Sequence, residues 1–137
     1  MRPRPVRLAA VAAALALAGC GASESSSANR FQGTEREVAQ AVEDLQRAGL
    51  SRDAEKVCAE ILSRELVRQI EEGGTCAGEV EQAITESGDF ELRVTEVTVQ
   101  GDRATAEVQP GSDRERAAPF ELVRQDGRWR VDTFGGS

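Results

Sequence analysis

The sequence contains no histidine and no tyrosine in 137 residues, and only one lysine, Lys56. Without histidine, the chain lacks the side chain best suited to shuttle protons near neutral pH and the commonest metal ligand. Without tyrosine it has no phenol to donate to a developing oxyanion. Phosphate loops, nucleophile motifs, zinc patterns and EF-hands are missing too. Catalysis would therefore rest on carboxylates. Glu91, Glu96 and Glu107 fall on expected strands, and Glu96 is the one placed to point into a cavity. Strand glutamates more often form a solvated outer face, as does the pair Glu71 and Glu72 at an expected helix end. The expectation is a non-enzymatic chain with no metal and no cofactor.

Long hydrophobic runs are also scarce. The longest, Leu8 to Ala18, is too short to span a bilayer, which takes about 20 residues. It follows Arg2, Arg4 and Arg7 and so has the form of an export signal over residues 1–19. The run ends in Leu17-Ala18-Gly19-Cys20, which resembles the lipobox of bacterial lipoproteins. That resemblance implies a lipidated Cys20 at the mature N-terminus, anchoring the protein to the outer face of the cell membrane. An ordinary secretory signal with an incidental cysteine is the alternative. Residues 20–32 read as the lipidated cysteine and a Ser-rich flexible tether, with Arg30 and Phe31 reaching the domain. A single domain, residues 33–137, follows.

The net charge is -7. The first nineteen residues carry three arginines and no acid, leaving fourteen basic against twenty-four acidic side chains, or -10, beyond them. Such a surface argues against nucleic acid or anionic headgroups as partners.

What is present is helical first. Thr34 to Glu37 has the pattern of a capping box, Val38, Ala41, Val42, Leu45 and Ala48 recur at helical spacing, and Gly49 supplies a left-handed stop. Ser51 is the expected cap of a second segment with Ala54, Val57, Cys58, Ile61, Leu62, Leu66 and Ile70 apolar. That stripe reads as one helix or, preferably, two broken near Leu62-Ser63, with Ser63 as the second cap. Thr75 caps a shorter helix with Val80, Ala83 and Ile84 inward, ending at Gly88. Cys58 and Cys76 form an even pair in an exported chain and read as a disulfide.

Strands follow. Apolar parity switches from Phe90, Leu92 and Val94 to Val97 and Val99, which predicts a bulge near Thr95-Glu96. The turn at Gly101-Asp102 sets Val99 opposite Ala104 and Val97 opposite Ala106. In the last hairpin, a two-residue Asp126-Gly127 turn sets Arg124 opposite Trp129, Leu122 opposite Val131 and Phe120 opposite Thr133. It also sets Glu121 against Asp132, a like-charge clash that a bulged three-residue turn would relieve. Arg124 is a candidate cation–π partner for Trp129.

Helices followed by a bent antiparallel sheet define an α+β class. The Cys58-Ala59-Glu60-Ile61-Leu62 helix with Cys76 downstream, and the ending from Phe120-Glu121-Leu122-Val123 to Asp126-Gly127-Arg128-Trp129-Arg130-Val131, resemble the NTF2-like (SnoaL-like) superfamily. More narrowly they resemble its small exported lipoproteins in high-GC Gram-positive bacteria. The resemblance covers roughly residues 33 to 134. It implies N-terminal helices packed on a curved antiparallel sheet, a cone-shaped half-barrel, with a cavity between the two. Leu92, Val97, Phe120, Leu122, Trp129 and Val131 would line it. Ketosteroid isomerase shares this fold but uses a phenol that this chain lacks. Because the fold hosts many functions, it assigns none alone. The expected role is a membrane-anchored accessory domain binding a small apolar ligand or an envelope protein. The alternatives are a carboxylate isomerase or dehydratase, and a module that homodimerises through the exposed sheet face.

Overall fold

The computed structural model describes residues 26–88, 90–111 and 116–135. The export signal and Cys20 lie outside the described residues. The fold is α+β, with helices packed on a curved, open four-stranded antiparallel sheet of order β1-β2-β3-β4. The elements are a 3-10 turn at Ser27–Arg30, α1 (Gly33–Leu50), α2 (Ala54–Lys56) running into a π-helix (Val57–Ile61), α3 (Arg64–Glu71) and α4 (Cys76–Ser87). The strands are β1 (Leu92–Gln100), β2 (Arg103–Pro110), β3 (Ala118–Gln125) and β4 (Arg128–Thr133).

Helix boundaries follow local chemistry in some places and tertiary contact in others. Ser63 Oγ accepts from the Leu66 amide and Thr75 Oγ1 from the Gly78 amide, capping α3 and α4 as their sequences predict. Glu65, in the first turn of α3, is held below the usual carboxylate range by its backbone hydrogen bond first, then by Gln125, Arg68 and Arg64. The expected capping box at Thr34 does not form: α1 starts at Gly33 after Gln32, with no side-chain cap. Nor is Gly49 the left-handed stop. It is buried inside α1, and a Cβ there would overlap the Phe90 ring, so its smallness admits an aromatic side chain. The left-handed position falls to Arg52, φ 55°. The Arg52 and Asp53 amides donate to the Gly49 and Ala48 carbonyls, the bonding of a Schellman motif. Ser51 accordingly ends α1 rather than starting α2, which is capped by Asp53.

The π-helix gives way to an extended Leu62. In an α-helix Ile61, Leu62 and Ser63 would point to different sides; here all three are buried in succession as the chain crosses the edge of β4. Leu62 makes a parallel bridge with Val131, and the Ser63 amide donates to the Val131 carbonyl at 2.8 Å.

The sheet registers carry two irregularities. One falls between Val94 and Glu96, where the parity switch placed a bulge, and it keeps both Val94 and Val97 buried. Val97 pairs with Ala106 and Val99 with Ala104, as expected. The second corrects the hairpin reading. The turn stays two residues long, with Asp126 and Gly127 at φ 53° and 75°, and Arg124–Trp129 and Leu122–Val131 are the pairs. The register then shifts, so that Thr133 faces Glu121 instead of Phe120. Thr133 Oγ1 donates to Glu121 Oε2 at 3.2 Å, and the displaced Asp132 accepts from Ser63 Oγ at 2.5 Å. The like-charge clash is thus removed at the far end of the hairpin, where a buried serine can take the surplus aspartate.

Candidate binding cavity

Three layers of contact decide where the core is filled and where space remains. α1 packs on β1, β2 and β4, and the π-helix on β4, so the middle of the concave face is occupied by Val38, Val42, Val57 and Leu62. α4 instead leans on α2, the π-helix and α3. It is tied there by the Cys58–Cys76 disulfide, whose Cα atoms are 6.2 Å apart. Because α4 rests on other helices rather than on strands, a cavity of about 360 Å³ opens beneath it. Its walls come from α1 (Leu45), the π-helix (Val57), α4 (Val80, Ala83, Ile84), the entry to β1 (Phe90, Leu92), β3 (Phe120) and the chain after β4 (Phe134). Phe134 is 44% exposed and meets Phe120 edge-on at 5.3 Å between ring centroids. The cavity volume lies in the usual range for small-molecule sites. An apolar cavity of about 150 Å³ takes benzene, so this one has room for roughly ten to fourteen heavy atoms.

Of the six residues the resemblance assigns to a cavity, Leu92 and Phe120 line this one. Val97, Leu122, Trp129 and Val131 are buried in the core shared with α1 and the π-helix. Arg124 lies 5.0 Å above the Trp129 ring and is held there by Glu37 at 3.1 Å, so the cation–π pair forms on the core's edge, away from the cavity. Glu96 is exposed on the outer face opposite Glu107 and does not line the apolar cavity. It therefore lacks the enclosed position a strand carboxylate base would need. Among the described residues no three His, Cys, Asp or Glu side chains gather as a metal site, and no helix is long and apolar enough to cross a membrane.

The sequence does not reveal how the β1 edge is closed. Gln46 Oε1 accepts from the Leu92 amide at 2.5 Å, Ser27 Oγ from the Val94 amide at 3.3 Å, and Arg30 Nη2 donates to the Val94 carbonyl at 2.7 Å. The 3-10 turn that delivers these groups is pinned by Glu43, which accepts from both Ser26 and Ser27 hydroxyls and from the Ala28 amide at 2.9 Å. Ala28 is buried beside it. The chain is thus already docked at Ser26, and the Leu92–Val94 end of the β1 edge is covered against pairing with another strand. The available signal was an acidic pair, Glu43 and Asp44, between the apolar Val42 and Leu45, with a serine run upstream. A cleft of about 430 Å³ beside this turn is polar, carrying Glu43, Gln46, Arg47, Glu91 and Arg93.

Compared with protein-family models, curated proteins and solved structures, the chain matches none.

Proposed function

We propose that this chain is a lipid-anchored extracytoplasmic domain that binds a small apolar molecule in the cavity beneath α4, without catalysing a reaction on it. The observation that carries this reading is the cavity itself: a half-open apolar pocket of about 360 Å³ in a domain otherwise packed through its core. An NTF2-like relationship is part of the proposal, supported by helices that precede a bulged antiparallel sheet. The anchor would be Cys20. Ser26 is held to the domain by Glu43, and six residues of chain from Cys20 to Ser26 can reach no more than about 20 Å, which would keep the domain near the bilayer.

Association through the outer sheet face is less favoured, because that face is polar. One row across all four strands reads Thr98, Thr105, Glu121 and Thr133. A second copy would find little apolar surface there to bury.

Native mass spectrometry of the protein released from membranes without detergent tests the reading. It should show one bound hydrophobic molecule per chain. Ala83→Trp, at an exposed cavity-wall position, should remove that mass without changing the melting temperature. An unliganded protein that also takes up no added decanol would overturn the binding reading. Cys20→Ser should release the protein from membranes, and unchanged retention without acylation would refute the anchor.

A further inference from the structure

A second hollow, of about 450 Å³, lies between α3, the π-helix and β4 and shares only Leu62 with the apolar cavity. Cys58, Leu62 and Val67 supply its apolar part and Arg64, Arg68 and Arg130 its charged part, with Glu65 the one acid in the lining. The cleft beside the 3-10 turn is balanced by comparison, with Arg47 and Arg93 against Glu43 and Glu91. Arg130 is the distinctive member. It is half-buried, and its Nη1 donates to the Ala59 carbonyl at 2.9 Å and more weakly to that of Leu62 at 3.4 Å. Ala59 and Leu62 both belong to the wall, so these bonds hold the guanidinium at the hollow. Its Nε is buried with no hydrogen-bond partner, and it takes part in no ion pair among the described residues.

From this we infer that the hollow is a binding site for a small carboxylate with an apolar body, independent of the cavity beneath α4. The carboxylate turns to Arg130 and Arg68, and the hydrocarbon rests on Leu62, Val67 and the Cys58 sulfur. Two carbonyls give Arg130 only partial negative charge, and a partly desolvated cation without a counter-ion is a costly state that an anion relieves. The planar guanidinium fork matches a carboxylate in shape. Neighbouring acids do not fill this role. Glu65 spends its oxygens on Gln125 at 2.6 Å and on Arg68 at 3.5 Å, and Asp126 faces Arg64 at 3.6 Å. Both ion pairs are long and solvent-exposed, so each contributes little and yields readily to a ligand. Arg64 and Arg68 stand one turn apart on α3 and share a face. The chain's net charge of -7 opposes anions at long range, so the attraction is local and the affinity modest.

The test is an NMR titration of the full chain with benzoate, benzamide and benzylammonium, three probes of one shape and different charge. Benzoate should shift the Val67 methyls and the Arg130 Nε–H resonance along one isotherm, and bind at least about five-fold more tightly than benzamide. Benzylammonium should move neither signal. Val80 and Ile84 line the apolar cavity and not this hollow, so their methyls report any binding there separately. R130Q should bring benzoate to the level of benzamide. R68Q, at an exposed position that makes no bond to the π-helix, should weaken benzoate about two- to five-fold, the range of one exposed charge pair. R36Q, outside the hollow, should change nothing. Equal binding of benzoate and benzamide, an absent shift at Val67, or a benzoate affinity untouched by both R68Q and R130Q would overturn the site, whatever the apolar cavity binds.

Discussion

Replacing both Cys58 and Cys76 by alanine should lower the stability of the domain by roughly 3 kcal/mol. The bridge closes a loop with a sequence separation of 18, and the chain-entropy relation at that length gives about that value at 25 °C. For a domain of about 100 residues, each kcal/mol moves the melting temperature by some 4–8 °C, so a fall of roughly 12–24 °C is expected. Alanine is preferred to serine because Cys76 is buried and a hydroxyl there would add its own desolvation cost of about 1–3 kcal/mol. The loss should also be local. α4 buries Cys76 and Ile84 and leans mainly on its helical neighbours, so its amides should exchange sooner than those of α1 or the sheet. Urea unfolding followed by Trp129 fluorescence gives the total, and hydrogen exchange gives the distribution. A change below about 1 kcal/mol, with α4 protected as before, would refute the claim that the bridge holds the cavity's outer wall.

Other substitutions probe separate parts of the structure. Trp129→Ala should cost about 3–5 kcal/mol in urea unfolding, because the ring is buried and carries the Arg124 stack. Trp129→Phe should cost much less, since it also removes an indole N–H that is buried without a partner among the described residues. Glu43→Ala should cost about 1.5–3 kcal/mol and expose the chain near Ser26 to limited proteolysis, because one carboxylate holds the whole 3-10 turn. Arg52→Gly should raise stability by about 0.5–1 kcal/mol by relieving a left-handed backbone; a loss in thermal unfolding would contradict that account.

The legible parts of the fold were those fixed by neighbours in sequence. The bulge after Val94 follows from a parity switch, the Asp126-Gly127 turn from residues that tolerate positive φ, and the caps at Ser63 and Thr75 from short hydroxyl side chains before a helix. The Cys58–Cys76 bridge followed from counting. What was not legible depends on distant partners. Gly49 looked like a helix stop, yet its role is set by Phe90, and the left-handed turn moved to Arg52. The Glu121–Asp132 conflict was visible, but its resolution came from Ser63, 69 residues away from Asp132. The cavity was expected under Trp129 and Val131, whereas packing of the π-helix and α1 fills that region and leaves space only where α4 stands off the sheet. Neither the spacing nor the composition of α4 encodes that offset.

The most direct test of the cavity beneath α4 is a methyl NMR titration with decanol. The methyls of Leu45, Val80 and Ile84, which line it, should shift together and saturate at one equivalent, while those of Val94 and Val108, buried elsewhere in the core, stay fixed. Shifts scattered over the surface, or none at the three lining residues, would contradict the account.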